Sequence, residues 1–228
     1  MNTVAFVPIK LNNERVPGKN IKKMDDGRPL ISFILETLLC VKNTGSIDEV
    51  IVYCSSSEIV DYLPEGVKWL KRPTTLDTQQ TKSNDIIRSF ISDYDADIYA
   101  MCHATSPFME SKHIIDCIDA VKSGDYDSAF TALEIKNFLW EKNEPLNFLR
   151  NNYPRTQDLD PIYSELPTPY VFTKEVFEKT GGRTGYSPYI CPCTLIESID
   201  IDNPEDFELA NAIYMSKVIP LLKRGTDR

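Results

Sequence analysis

Two stretches of the sequence contain most of the residues that could do chemistry, and the first is a basic loop. Residues 9–23 follow an apolar run and contain five cations and a single acid, Glu14. The chain has a net charge of -9, so this local positive charge favours a bound anion. Backbone N–H groups and cations around a glycine can hold a polyphosphate, and an exposed basic loop explains the spacing equally well. The cations are Lys10, Arg15, Lys19, Lys22 and Lys23.

The second stretch is acidic and reads SIDIDNPEDF, residues 198–207. In an extended strand, Asp200 and Asp202 project to one face, while Ile199 and Ile201 project to the other. Two neighbouring carboxylates repel each other, and Mg²⁺, which binds one or two carboxylates together with phosphate oxygens, would relieve that repulsion. The pattern therefore predicts a strand with a metal pair, with an ordinary polar strand edge as the alternative.

Two further polar stretches each follow an apolar run that is typical of a strand. Residues 72–85 carry hydroxyls, amides and a lysine, and residues 102–108 read CHATSPF. Both could line the pocket of a nucleobase and ribose. His103 could equally be a structural histidine, so the sequence does not identify it as a general base.

Apolar runs alternate with helical patterns along the chain, and this alternation predicts a three-layer α/β/α, Rossmann-like fold with a mainly parallel sheet. We expect one domain, residues 1–228, with ligands at the carboxyl ends of the strands. One helix is predicted to be capped by Ser83 or Asn84, another to end at Gly124, and a long final helix to begin at Pro204.

The alternation stops at residues 138–170, which are rich in proline, asparagine and aromatic residues. We interpret them as an excursion of short strands and loops that forms a dimer contact or a wall of an acceptor site. Phe138, Trp140 and Phe148 could anchor such a dimer, or they could cover the core of the monomer.

Composition excludes several classes of protein. An acidic chain has no extended basic face for nucleic acid or anionic membrane, and no apolar run approaches the roughly 18 residues of a membrane span. A cytoplasmic protein is expected, and its six cysteines are then reduced thiols. The CPC stretch, residues 191–193, has no second Cys/His pair nearby in the sequence, so no zinc site is predicted.

Together these stretches resemble one family, the cytidylyltransferases of the acylneuraminate type. The family's loop A-R-x-x-S-K-x-x-P-x-K-N is similar to residues 9–20 and shares Pro17, Lys19 and Asn20. Its L-Q-P-T-S-P-L, R-P-x-x-L and I-D-I-D-x-x-x-D-F motifs are similar to CHATSPF, RPTTL and the acidic stretch. The resemblance covers nearly the whole chain and is weakest in the excursion.

The resemblance implies a Mg²⁺-dependent, homodimeric enzyme of cell-surface polysaccharide biosynthesis. Such an enzyme transfers CMP from CTP to a sialic-acid-like or 3-deoxy-octulosonic-acid-like sugar and releases pyrophosphate. It implies the catalytic cations Lys10, Arg15 and Lys19, the metal ligands Asp200 and Asp202, and the acceptor-binding residues Arg155 and Gln157. The nucleotide-binding residues implied are Leu11, Asn12, Asn13, Arg72, Gln80, Ser83, His103, Thr105 and Ser106.

The sequence departs from the family's pattern in the basic loop and beside the base. Lys10 stands where the family has arginine, and Asn13 and Glu14 replace its Ser-Lys pair, with Arg15 one place on. His103 replaces a glutamine, and the family's N-G-A turn is absent. Two alternatives therefore stay open: a non-sugar or phosphonate acceptor or another nucleotide, and a non-catalytic nucleotide-binding protein, which Glu14 favours.

Overall fold

A computed structural model describes residues 1–216 of the chain, and nine strands occur within that range. Seven of these strands form one central sheet, and the two shortest, β6 and β7, form a separate hairpin. The strands are β1 (Thr3–Ile9), β2 (Glu49–Cys54), β3 (Val67–Lys71), β4 (Ile98–Met101), β5 (Ser128–Ile135), β6 (Trp140–Glu141), β7 (Glu144–Pro145), β8 (Ile162–Thr173) and β9 (Pro188–Cys193).

The central sheet has the strand order β3-β2-β1-β4-β8-β5-β9. Strand β8 runs antiparallel to both of its neighbours, and the other neighbouring strands are parallel. The mainly parallel sheet predicted from the sequence is confirmed. Parallel strands need helical crossovers, so both faces of such a sheet are covered.

Helices cover the sheet on its two faces. Side chains of α1 and α3 share one buried apolar cluster with one face, and side chains of α2 and α4 share another cluster with the opposite face. Helix α5 packs against the outer side of α1 through Phe207 and Phe33. The three-layer fold is therefore confirmed. The helices are α1 (Leu30–Asn43), α2 (Ser83–Asp93), α3 (Ser111–Ser123), α4 (Lys174–Thr180) and α5 (Pro204–Met215).

The helix ends follow the predicted signals, with one correction. Gly124 ends α3 in the left-handed conformation at φ 81°, where a residue without a Cβ is favoured, as predicted. Helix α2 is capped by neither Ser83 nor Asn84, because both lie inside it. Its N-cap is Lys82, whose backbone N–H donates to the Asp85 carboxylate at 3.0 Å.

The predicted excursion, residues 138–170, is shorter in the structure because Ile162 already belongs to β8 at the centre of the sheet. The irregular part contains the β6–β7 hairpin and a short 3₁₀ turn over Thr156–Asp158. Its aromatic rings pack on one another, with Phe138 and Phe148 centroids 4.9 Å apart, while Trp140 stays 47% exposed. Its role in a dimer or an acceptor site stays a prediction.

The acidic stretch is not a strand, which corrects the sequence-based expectation. Residues 194–203 form a turn and an irregular segment with no neighbouring strand in the described part of the chain. Ile201 anchors this segment, because its side chain is fully buried and its N–H donates to the Thr105 carbonyl at 3.0 Å. Helix α5 begins at Pro204 as predicted, and its predicted continuation beyond residue 216 lies outside the described residues.

Among residues 1–216, no helix combines the length and apolar character that crossing a membrane requires.

The anchoring role of Ile201 gives a stability prediction. Ile201→Ala should lower the free energy of unfolding by about 2–5 kcal/mol, because it leaves a cavity under the acidic segment. Leu195→Ala is the matched control, since Leu195 belongs to the same segment and is 72% exposed. Urea denaturation followed by circular dichroism measures both, and equal losses in the two variants would contradict the anchor.

Candidate active site

A cavity of about 370 Å³ opens where the loops after β1, β3 and β4 meet the segment that precedes α5. This is the carboxyl end of the parallel strands, where open α/β sheets bind ligands. Nine of the residues singled out from the sequence line it. They are Lys10, Asn13, Lys19, Arg72, Ser83, His103, Thr105, Asp200 and Asp202.

The basic loop is folded back on itself beside β1. Gly18 adopts a left-handed conformation at φ 62°, and a 3₁₀ turn over Lys19–Ile21 follows it. Asn20 is buried, and its side-chain amide donates to the Lys10 carbonyl at 2.9 Å and to Asn13 at 3.4 Å. These bonds join Asn20 to the start of the loop. The closed loop positions Lys10 and Lys19 at the cavity.

The basic loop and the acidic segment face each other directly. Arg15 donates to the Asp202 carboxylate at 2.9 Å, and the Lys19 ammonium lies 3.4 Å from the same oxygen. Lys19 also donates to the Ile201 carbonyl at 2.6 Å. Within residues 1–216, Lys10 forms no ion pair, so its charge faces the cavity uncompensated.

Asp200 is placed differently from Asp202. One of its carboxylate oxygens is buried and has no hydrogen-bond partner. Burial raises the pKa of Asp200, the charge of Asp202 adds to that rise, and a hydrogen bond from Thr105 and the charge of Lys19 oppose it. A buried acceptor without a donor, next to a second carboxylate on the same cavity, is a donor set that suits Mg²⁺.

His103 is fixed by the neighbouring strand β8. Its Nδ1 lies 2.5 Å from the Pro167 carbonyl, and its backbone N–H donates to Thr168 Oγ1 at 2.8 Å. Burial lowers the pKa of His103 to about 4, although the bond to Pro167 opposes this shift. The imidazole is therefore neutral at pH 7, donates through Nδ1, and keeps Nε2 as an acceptor.

The loop after β3 supplies the next wall of the cavity. Arg72 is 2% exposed, and its guanidinium forms an ion pair with Asp77. Thr78, Thr81 and Ser83 line the cavity with hydroxyl groups. A buried, always-charged guanidinium among hydroxyls offers directional donors to a polar ligand.

Seven of the sequence-derived residues do not line this cavity. Arg15 reaches its rim through Asp202, while Ser106 is buried and its hydroxyl has no partner. Arg155 is exposed and donates to Asp158 at 2.7 Å. The proposed roles of these residues stay predictions. The other four are Leu11, Asn12, Gln80 and Gln157.

Sequence reasoning missed one cation on the cavity wall. The Arg183 guanidinium stacks over the Tyr170 ring at 3.5 Å and donates to Ser83 Oγ at 3.0 Å and to Glu165 at 3.1 Å. Arg183 lies in the turn that follows α4. Its contacts depend on β8 being inserted into the centre of the sheet, which no local pattern indicates.

The fold and this cavity define a class of protein: a three-layer α/β nucleotidyltransferase fold with a basic loop opposite a carboxylate pair. The chain belongs to the cytidylyltransferase family, since the model of the family described as "Cytidylyltransferase" matches residues 4–220. The resemblance drawn from the motifs is thereby confirmed. Glu14, the residue that disfavoured catalysis, is exposed and does not line the cavity.

Relatives with known names agree with this assignment at low identity. N-acylneuraminate cytidylyltransferase A of Danio rerio is 27% identical over 88% of this chain and 49% of its own length. CMP-N,N'-diacetyllegionaminic acid synthase of Legionella pneumophila is 24% identical over 93% of this chain and 96% of its own. The chain spans about half the length of the N-acylneuraminate cytidylyltransferases that it matches.

The fold has solved counterparts. The structure of CMP:2-keto-3-deoxy-manno-octonic acid synthetase complexed with CTP superposes with a TM-score of 0.70 at 16% identity. The match covers 96% of this chain and 100% of that one. This likeness shows that the two chains share a fold.

The environment of His103 gives a prediction that two-dimensional NMR can test, because the chain has only two histidines. His103 should titrate near pH 4. In the metal-free protein, His113, whose pKa the Glu197 carboxylate raises, should titrate above the usual range of histidine. The unfolded chain binds the His103 proton near pH 6.5, so stability falls as the pH drops from about 6.5 to 4, by up to about 3 kcal/mol.

His103→Gln assigns the resonance and should remove this part of the pH dependence. A His103 resonance that titrates near pH 6.5 would contradict the desolvated, neutral imidazole.

Proposed function

We propose that this protein is a cytidylyltransferase that transfers CMP from CTP to an acidic sugar and releases pyrophosphate. The observation that carries the proposal is the pairing of opposite charges across one cavity. Lys10, Arg15 and Lys19 lie on one side, and Asp200 and Asp202 lie on the other. The relatives include an N-acylneuraminate cytidylyltransferase and a synthase and a synthetase of CMP-linked acidic sugars, which supports the same reaction.

In the proposed reaction, a hydroxyl oxygen of the acceptor attacks the α-phosphorus of CTP. A new P–O bond forms, the bond between the α-phosphorus and the bridging oxygen breaks, and pyrophosphate leaves while the hydroxyl proton is released. Lys10 and Arg15 neutralise the negative charge that develops on the phosphate oxygens. Phosphoryl-type transfers rely on positioning and electrostatics, so a nucleophilic side chain is not required.

Asp200 and Asp202 would hold Mg²⁺ in this proposal. The bound cation would supply positive charge that offsets the triphosphate and polarises the reacting phosphate. The chain's own contribution is to hold the two carboxylates in place. Lys19 does this through the Ile201 carbonyl, and the Asp206 carboxylate accepts the Asp202 N–H at 3.0 Å.

Arg183 is the cation that we propose for the acidic group of the acceptor. It lines the cavity, whereas Arg155 is exposed outside it. Both arginines have a carboxylate partner, Glu165 for Arg183 and Asp158 for Arg155, so their position relative to the cavity separates them. A guanidinium held over the Tyr170 ring loses little conformational freedom when it binds a carboxylate. The bond from Arg183 to Ser83 ties this position to α2.

We also propose a cytoplasmic homodimer. The six cysteines are unpaired thiols, which fits a reducing compartment. In the excursion, Leu146, Leu149 and Tyr153 are each more than half exposed and belong to the same short segment as the exposed Trp140, so this segment offers apolar surface for a second copy.

The function is tested by pyrophosphate release from each ribonucleoside triphosphate with Mg²⁺, across acidic sugars and phosphonates. We expect release with CTP and an acidic sugar, and loss of turnover by at least roughly 100-fold in Asp200→Asn. The thermal midpoint of this variant should be unchanged or higher, because the uncharged amide removes the cost of burying a carboxylate.

Asp125→Asn is the matched control, since Asp125 is exposed and lies away from the cavity. Turnover that survives in Asp200→Asn would overturn the metal pair. Release only with a phosphonate would select the alternative acceptor, and nucleotide binding without release under any condition would select a non-catalytic protein.

The acceptor assignment is tested by a pair of arginine variants. Arg183→Ala should raise KM for the acidic sugar roughly 10- to 100-fold, the size of a lost charge-assisted bond, and leave KM for CTP within about twofold. Arg155→Ala should change neither constant. The opposite pattern, with the effect in Arg155→Ala, would show that the motif-based assignment is right and the cavity-based one wrong.

A further inference from the structure

A second cluster of reactive side chains lies on the side of the sheet that α3 covers, away from the nucleotide cavity. His113 and Cys117 are four residues apart on α3, so they project from one face of the helix. Cys191 and Cys193 are two residues apart on β9, so they project from one face of the strand. None of the four lines the cavity described above.

The packing of α3 on β9 brings these two pairs together. A ring nitrogen of His113 and the sulfurs of Cys191 and Cys193 all lie within 4.8 Å of one another. Cys117 is fully buried and belongs to the same packed cluster as Cys191, so it lies next to this group of three. Tetrahedral zinc binds sulfur at about 2.3 Å and nitrogen at about 2.0 Å, so its ligand atoms are roughly 3.5–3.8 Å from one another. A small side-chain adjustment would bring the three ligand atoms to this spacing.

The imidazole of His113 is already oriented by a buried acid. Glu197 is 2% exposed, and its carboxylate accepts from His113 Nδ1 at 2.6 Å. The same carboxylate accepts from the Glu110 N–H at 3.2 Å and from Thr194 N–H and Oγ1 at 3.0 and 2.9 Å. Since Nδ1 is occupied, Nε2 is the nitrogen left for a ligand, as in carboxylate–histidine–zinc arrangements.

We propose that His113, Cys191 and Cys193, with Cys117 as the fourth ligand, bind a thiophilic divalent cation, zinc above all. One nitrogen and three sulfurs form the donor set of structural zinc sites, and they do not suit Mg²⁺ or Ca²⁺. This site is separate from the proposed Mg²⁺ position and does not rest on the proposed function.

A cation here would join β9, the last strand of the sheet, to α3. The chain leaves β9 through Thr194 and Glu197 and continues to Asp200. The metal would therefore stabilise the start of the segment that carries the two aspartates. Metal binding and nucleotide chemistry would be linked through this backbone, although each can be measured alone.

The test uses the untagged protein after treatment with a chelator and reductant. Titration with Co²⁺ should give one equivalent bound per chain, with thiolate-to-cobalt charge transfer in the near ultraviolet and the visible bands of a tetrahedral ion. Zn²⁺ should displace the Co²⁺ and raise the thermal midpoint of the protein. A chain whose thiols merely pack in the core would show neither the spectrum nor the shift, and that result would overturn the proposal.

Variants locate the site once the wild-type spectrum is seen. Cys193→Ser, at the most accessible ligand of β9, should abolish the charge-transfer band, and Glu197→Gln should weaken Co²⁺ affinity by about 10- to 100-fold. Cys40→Ser is the matched control, since Cys40 is an exposed thiol on α1. An unchanged spectrum in folded Cys193→Ser, or loss of the band in Cys40→Ser, would place the metal elsewhere and overturn the assignment.

Discussion

The ammonium group of Lys19 joins two parts of the chain that are far apart in sequence. It donates to the Ile201 carbonyl at 2.6 Å and lies 3.4 Å from the Asp202 carboxylate, with its own side chain 12% exposed. The acidic segment has no neighbouring strand within residues 1–216, so its position depends on this contact and on the bond from Ile201 to Thr105. These two bonds, together with the bond from the Asp202 N–H to the Asp206 carboxylate, hold the carboxylate pair in place.

The cations of the basic loop differ in how firmly their side chains are held by other residues. Lys19 is shielded and tied to a backbone carbonyl, so it serves as part of the framework. The Arg15–Asp202 pair is exposed at 63% and 44%, and such surface pairs contribute little free energy. Arg15 can therefore exchange Asp202 for a phosphate at little cost, and Lys10 has no carboxylate partner among the described residues to give up.

Local patterns in the sequence were sufficient to predict the three layers of the fold. Runs of apolar residues predicted the buried parallel strands, and glycine and proline signals predicted the end of α3 and the start of α5. The pattern was insufficient for residues 162–170, because the alternation of apolar and polar residues is weak in a stretch with two prolines. That stretch forms part of the antiparallel strand inside the sheet. The pattern also predicted a strand at Asp200 and Asp202, where a backbone without a partner strand stays irregular.

The sequence alone determined which residues could meet a polyphosphate, because the cations of one loop are neighbours along the chain wherever that loop lies. It also fixed three short spacings: Asp200 to Asp202, His113 to Cys117, and Cys191 to Cys193. Only the tertiary structure decided that Lys19 faces Asp202, that Arg183 reaches the cavity, and that the two thiol-bearing pairs converge. Each of these contacts forms between elements that pack together across many intervening residues, and local periodicity carries no information about which elements pack.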